Sequence, residues 1–130
     1  MAISPKGKRK ITVEGVALLW WVRADDEPPF VESSGESLHV AEADGGWLVS
    51  LPLGQPEPTR HLVVKKGAVR GEVASGVHRR FRCPDFGLGP AESRIVVRPS
   101  SVAELIEWCT STASAPIEVN YLGQPIEGDA

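Results

Sequence analysis

The chain has 130 residues, a length typical of one domain, and 42% of them are hydrophobic, which is enough for a buried core. Its 13 glycines and 11 prolines favour a β-rich fold with many turns over a fold of long helices. The formal charge of −3 provides no globally basic field of the kind that a nucleic-acid binder carries. No apolar run approaches the ~20 residues of a membrane span, and no signal-peptide core follows the basic N-terminus. We therefore expect a cytoplasmic protein outside the membrane.

Two cysteines are too few for a disulfide scaffold, and their spacing does not match a metal site. Cys83 and Cys109 both fall in apolar patterns, which predicts buried free thiols. Residues 1–8 read as a flexible basic tail and residues 123–130 as a second flexible tail. We expect a single β-rich domain over residues 9–122.

The chain opens with two strands, Ile11–Val13 and Val16–Val22, joined at Glu14-Gly15. A two-residue hairpin loop there predicts a definite pairing of opposite residues. The predicted pairs are Val13 with Val16, Ile11 with Leu18, and Arg9 with Trp20.

The second strand is apolar on both faces. Alternation places Leu19 and Trp21 on the face opposite Leu18 and Trp20. Such a strand is either covered by a layer on each side or exposes an apolar patch that binds a partner. Leu19 and Trp21 are therefore the candidate residues of a protein-binding surface.

The middle of the chain alternates short strands with turn signals. Ser37–Ala41 and Trp47–Leu51 form a hairpin around Asp44-Gly-Gly46. We predict a further strand over Arg60–Lys65 and a turn at Lys66-Gly67. Two more strands, Ala68–Ala74 and Val77–Arg82, follow.

Near the C-terminus a strand passes into a helix. Ile95–Val97 reads as a buried strand that Pro99 ends. Ser101 and Glu104 have the spacing of a capping box and predict the start of a helix over about 101–112. The stripe that faces the core consists of Val102, Leu105, Ile106 and Cys109. A last strand is predicted at Ile117–Tyr121.

Together these elements predict an α+β, predominantly β fold. We expect an antiparallel meander sheet, or a partly open barrel or sandwich, of about 7–9 short strands. The single helix packs on that sheet because a helix of about three turns is not stable alone.

No catalytic set stands out in the sequence. His39, His61 and His78 each lie alone in a predicted strand, without the spacing of a metal site. Cys83 and Asp85 lie near His78, but alternation turns Cys83 and His78 to opposite faces of their strand. We expect no metal and no cofactor, and a binding protein in preference to an enzyme. An enzyme whose site is assembled from dispersed residues is a remaining alternative.

Besides the basic N-terminus, positive charge is concentrated in the run from His78 to Arg82. Alternation places His78, Arg80 and Arg82 on one face, opposite Arg79 and Phe81. This face predicts contacts with an anion, a nucleic acid or an acidic partner. The alternative is a solvated edge strand whose charges prevent aggregation.

Two stretches resemble small uncharacterised bacterial β-rich proteins with an N-terminal hairpin and a late strand–Pro–helix. They are Ile11-Thr-Val-Glu-Gly15 with the tryptophan strand after it, and the stretch from Ile95 to Trp108. The resemblance implies no activity. Our leading hypothesis is a non-enzymatic accessory protein that binds another protein or self-associates, and the alternative is a nucleic-acid or polyanion-binding module.

Overall fold

The computed structural model describes residues 7–24, 35–74, 78–88 and 96–126. These residues form one open antiparallel sheet of eight strands with a single helix on it, which confirms the predicted α+β, predominantly β class. The strands are β1 (Arg9–Val13), β2 (Val16–Ala24), β3 (Glu36–Glu42), β4 (Leu48–Pro52), β5 (His61–Val69), β6 (Glu72–Ala74), β7 (Arg79–Arg82) and β8 (Glu118–Val119). The helix α1 spans Pro99–Thr110, and a 3-10 turn spans Glu57–Thr59.

The sheet is a meander with one branch. Its strand order is β1-β2-β3-β4-β5-β7-β8, and β6 pairs with the far end of β5 outside this path. Each neighbouring pair is antiparallel. Strands close in sequence therefore lie side by side, as short turns between antiparallel strands require.

The β1–β2 hairpin has the predicted register. Glu14 and Gly15 have φ angles of 50° and 80°, the left-handed values that a two-residue hairpin turn needs at both positions. As predicted, Val13 pairs with Val16, Ile11 with Leu18, and Arg9 with Trp20. The β3–β4 hairpin is confirmed as well.

The turn predicted at Lys66-Gly67 is wrong. Strand β5 continues to Val69, and the chain reverses at Arg70 and Gly71, whose φ angles are 50° and 85°. The predicted strand Ala68–Ala74 is thus divided by this turn. Gly67 instead allows Trp47 to pack closely against β5, because a Cβ at this position would lie 2.7 Å from Cδ1 of Trp47.

Helix α1 begins two residues earlier than predicted. Arg98 is its N-cap in extended conformation, and Pro99 occupies the first helical position, where a missing amide costs nothing. The predicted capping box is wrong, since Ser101 is buried inside the first turn and no side chain caps the helix. The predicted strand at Ile95–Val97 is also wrong for Val96 and Val97, which form no strand; Ile95 lies outside the described residues.

The core lies between the sheet and α1. The predicted stripe of Val102, Leu105, Ile106 and Cys109 is buried and belongs to the same cluster as the inward residues of β2 to β7. Phe81 on β7 is 1% exposed. Cys83 and Cys109 are buried free thiols, as predicted.

The C-terminal end of the described chain folds back on β8. This strand is shorter than the predicted Ile117–Tyr121. The Asn120 amide donates to the Gln124 carbonyl at 2.8 Å, and Val119 bridges to Pro125. Across the described ranges, no helix is long and apolar enough to cross a membrane.

Candidate functional site

The two sides of the sheet differ in charge. One side, the helix side, carries the core residues that pack on α1. Alternation and register assign five strand cations to the opposite side, which we call the basic face. These cations are Lys10, Arg23, Lys66, Arg80 and Arg82.

The carboxylates of the strands all lie on the helix side. Glu36 and Glu42 have the same parity as Leu38 and Val40 in β3, whereas Glu72 and Glu118 pair with residues of the core face. Strand residues therefore contribute positive charge but no negative charge to the basic face. The net charge of −3 conceals this separation.

Arg79 neutralises two of those carboxylates. Its guanidinium lies 3.1 Å from Glu72 and 2.8 Å from Glu118. The hydrogen bond from Arg79 lowers the pKa of Glu118, so the carboxylate stays charged. As predicted, Arg79 shares the side of Phe81 while Arg80 and Arg82 lie opposite, whereas His78 is exposed just before β7.

The two surfaces predicted separately lie on the same side of the sheet. Successive cross-strand partners connect Trp21 on β2 with Arg80 on β7 in one row. At ~4.8 Å between strands, the two residues are about 19 Å apart. From β2 to β8 the row is Trp21, His39, Ser50, Val63, Arg80 and Val119.

Trp21 is engaged within the fold. Its ring stacks on the imidazole of His39 with centroids 5.3 Å apart, and the Lys8 ammonium lies 4.8 Å from the ring centroid. Leu19 is 3% exposed, so Trp21 is the member of this pair that reaches the surface. Ala41 and Ser50 are buried as well. The middle of the basic face is therefore inaccessible to solvent, and the five cations lie around it.

The histidines lie at separate places. His39 contacts the Ser50 hydroxyl at 2.6 Å, yet Ser50 is 4% exposed and no substrate could reach it without rearrangement of its neighbours. His61 lies two strands away, roughly 12 Å from His39 by strand spacing. Burial lowers the pKa of His61, and its Nδ1 contacts the Thr59 carbonyl at 2.9 Å.

Neither thiol nor metal chemistry finds support in the described ranges. Burial raises the pKa of Cys83 to about 12, which keeps its thiol protonated and a poor nucleophile. No group of three or more His, Cys, Asp or Glu residues there is placed to hold a metal ion.

Arg82 has a different environment from Arg80. Its Nη2 donates to the Pro58 carbonyl at 2.9 Å, and the side chain lines a cavity at the end of β7. Sequence alternation gave the correct parity of Arg82. The alternation of residues along a strand could not predict the cavity, because the residues that line it come from segments far apart in the chain.

Searches against protein-family models, curated proteins and solved structures found no match to this chain. The resemblance to small bacterial proteins stays a prediction.

Proposed function

We propose that the protein is a non-catalytic binding module that takes a polyanion, with single-stranded nucleic acid as the favoured ligand, on its basic face. The observation that carries this proposal is the separation of charge between the two sides of the sheet. Lys10, Lys66 and Arg80 lie on a side to which the strands contribute no carboxylate. The described strands therefore offer a polyanion on this side attraction and no carboxylate repulsion, even though the chain is acidic as a whole.

We expect contacts between the cations of the basic face and the phosphates to provide most of the affinity for a nucleic acid. The Trp21 ring already contacts His39 and Lys8, so base stacking on it would require displacement of these neighbours. Lys10 and Arg80 lie five strand spacings apart, roughly 24 Å. Cations at this spacing track a backbone over several nucleotides and read no sequence.

The salt dependence of binding tests the proposal. We expect a fluorescent oligothymidylate to bind with an anisotropy change that weakens steeply as salt rises. If about three phosphates are neutralised, the affinity falls roughly twentyfold when salt increases fourfold. Absence of binding at low salt would remove the proposal. Heparin as a competitor separates a general polyanion site from one that requires a nucleic-acid backbone.

Neighbouring residues of β1 provide a matched pair of variants. Lys10→Glu reverses a charge on the basic face, whereas Arg9→Glu makes the same reversal on the helix side. We expect Lys10→Glu and Arg80→Glu each to weaken oligothymidylate binding about tenfold or more at low salt, because each replaces attraction by repulsion. Arg9→Glu should weaken binding much less. Equal loss from Lys10→Glu and Arg9→Glu would show that only net charge matters.

A second candidate function is association with an acidic protein or with another copy of the chain. Trp21 lies in the same cross-sheet row as Arg80, and tryptophan and arginine are the residues that most often dominate protein interfaces. Trp21→Ala should then disturb association, measured by light scattering, more than it disturbs folding. Leu19→Ala is the less informative variant, because Leu19 is 3% exposed and its truncation weakens the core of that face.

A further inference from the structure

A cavity of about 660 Å³ lies at the edge of the molecule where β7 ends. It is lined by residues from separate parts of the chain, among them Pro58 and Arg60, Trp108 in α1 and the segment 114–117. Its volume lies within the range of sites that hold small organic molecules. Lys10, Lys66 and Arg80 do not line it, so it is separate from the cations proposed to bind a polyanion.

Arg82 brings a guanidinium group to this cavity. Its Nη2 donates to the Pro58 carbonyl, but its buried Nε has no acceptor among the described residues. A buried donor without an acceptor is uncommon and destabilising. This nitrogen has almost no solvent-accessible surface, so a ligand in the cavity would accept hydrogen bonds from the Nη groups of Arg82.

Arg60 supplies a second guanidinium. It lines the same cavity, and its side chain forms no hydrogen bond or ion pair with another described residue. Two guanidinium groups with free donors match the paired oxygens of a carboxylate or phosphate. Arg82 and Arg60 are therefore the groups that would bind an oxyanion.

Arg70 has a supporting role at the same cavity. Its Nε and Nη2 donate to Ser114, and its Nη1 donates to the Trp108 carbonyl. With its donors engaged, Arg70 adds positive charge and fixes the wall. Its guanidinium lies 4.9 Å from the Trp108 ring centroid, and Phe86 packs edge-on against that ring at 5.9 Å.

The rest of the wall limits the ligand. Trp108, Pro116 and Ile117 offer apolar surface, whereas Glu57 and Asp85 place two carboxylates at the cavity. These carboxylates repel a ligand of high negative charge. One oxyanionic group on an otherwise apolar body fits this combination.

We propose that this cavity binds a small organic molecule with a single carboxylate or phosphate group, whose oxygens accept hydrogen bonds from Arg82 and Arg60 and whose apolar body lies against Trp108.

The arginine Nε–H signals of ¹⁵N-labelled protein report this binding directly. Phenyl phosphate, benzoate and inorganic phosphate are the probes. We expect the Arg82 signal to move in a saturable manner with phenyl phosphate or benzoate, and less with inorganic phosphate, which lacks the apolar body. A response to phenyl phosphate alone assigns a phosphate ligand, and a response to benzoate alone assigns a carboxylate.

Two variants and one control make the test decisive. Arg82→Lys keeps the charge but removes the planar set of guanidinium donors, and Arg60→Ala removes the second guanidinium. Each variant should raise the Kd about tenfold or more. The signals of Trp108 Nε1–H and Arg60 report binding to Arg82→Lys. Arg80→Lys, the matched control on the basic face, should change the Kd less than about twofold.

The site is rejected if no arginine signal responds at probe concentrations of about 20 mM, or if Arg82→Lys binds as tightly as the original protein. It is also rejected if the Arg80 signal moves as far as that of Arg82. Lys10→Glu should leave phenyl phosphate binding intact, so this test is independent of polyanion binding.

Discussion

Arg70 fastens the β5–β6 turn to the end of α1 through Trp108. Its Nη1 donates to the Trp108 carbonyl at 2.9 Å, and its guanidinium lies 4.9 Å from the centroid of the Trp108 ring. The Arg70 backbone amide donates to the Cys109 carbonyl at 2.7 Å. One residue thus satisfies two carbonyls of the last helical turn, which have no partner inside the helix.

Replacement of Arg70 by Lys should destabilise the protein. The variant keeps the charge and the backbone bond but loses the planar set of donors. We expect the free energy of unfolding in urea to fall by about 1–3 kcal/mol, the range for hydrogen bonds that involve a charged group. Arg98→Lys, at an exposed residue before α1, is the control and should change stability by less than about 0.5 kcal/mol. Equal effects would show that Arg70 has no special role.

Gly67 and Gly71 form a matched pair for a test of close packing. Both have positive φ, 82° and 85°, but a Cβ at Gly67 would lie 2.7 Å from Trp47, whereas a Cβ at Gly71 would meet nothing within 4 Å. Gly71→Ala should therefore cost only the backbone strain, about 1–2 kcal/mol. Gly67→Ala should cost about 1–3 kcal/mol more, because Trp47 has to shift, and its indole N–H bond to Ala68 at 2.8 Å is put at risk. Similar urea midpoints for the two variants would contradict this account.

Acid should destabilise the protein through His61. Burial lowers the pKa of His61 below its ordinary value of 6.5, so near neutral pH the unfolded chain binds the proton more readily than the folded protein does. The stability that His61 contributes is present above about pH 6.5 and is lost as the pH falls through the folded-state pKa. The slope attributable to this one proton is at most about 1.4 kcal/mol per pH unit.

Urea unfolding at several pH values between about 5 and 7.5 measures this slope. His61→Gln should flatten it, whatever its effect on stability at neutral pH. His78→Gln, at an exposed residue, should leave the slope unchanged. A slope that survives in His61→Gln would assign the pH dependence to other groups.

The ion pairs of Arg79 should contribute little despite good geometry. The Arg79 and Glu118 side chains are 26% and 35% exposed, so solvent screens their attraction. A double-mutant cycle of Arg79→Ala and Glu118→Ala should give a coupling energy of at most about 1 kcal/mol, smaller at high salt. Because Arg79 lowers the pKa of Glu118, the coupling is present above the ordinary pKa of 4.5 and is lost as the pH falls through the folded-state pKa. A coupling that salt leaves unchanged would contradict this expectation.

The sequence predicted correctly those elements whose structure depends on a single local pattern. The two-residue loop Glu14-Gly15 predicted the β1–β2 pairing residue by residue, since turn geometry alone determines the register of a short hairpin. The stripe of α1 was likewise predicted from its 3.6-residue period. Both predictions depend on residues close together in the chain.

The errors occurred where two local signals look alike. Gly67 has the positive φ of a turn residue but lies inside β5 beside Trp47. Ser101 and Glu104 have the spacing of a capping box, but Pro99 starts the helix before them. The packing of Trp47 beside Gly67 and the position of Pro99 at the start of α1 lie outside these two motifs, so the motifs alone could not predict them.

By itself the sequence determined the fold class, the first two hairpins, the face of α1 and the opposite directions of Arg79 and Arg80. These follow from alternation, periodicity and turn chemistry, which act over a few residues. Only the tertiary structure decided that Trp21 and Arg80 share one side of the sheet and that Arg60, Arg82 and Trp108 line one cavity. The order of the strands and the docking of α1 set those relationships, because they depend on packing between segments far apart in the chain.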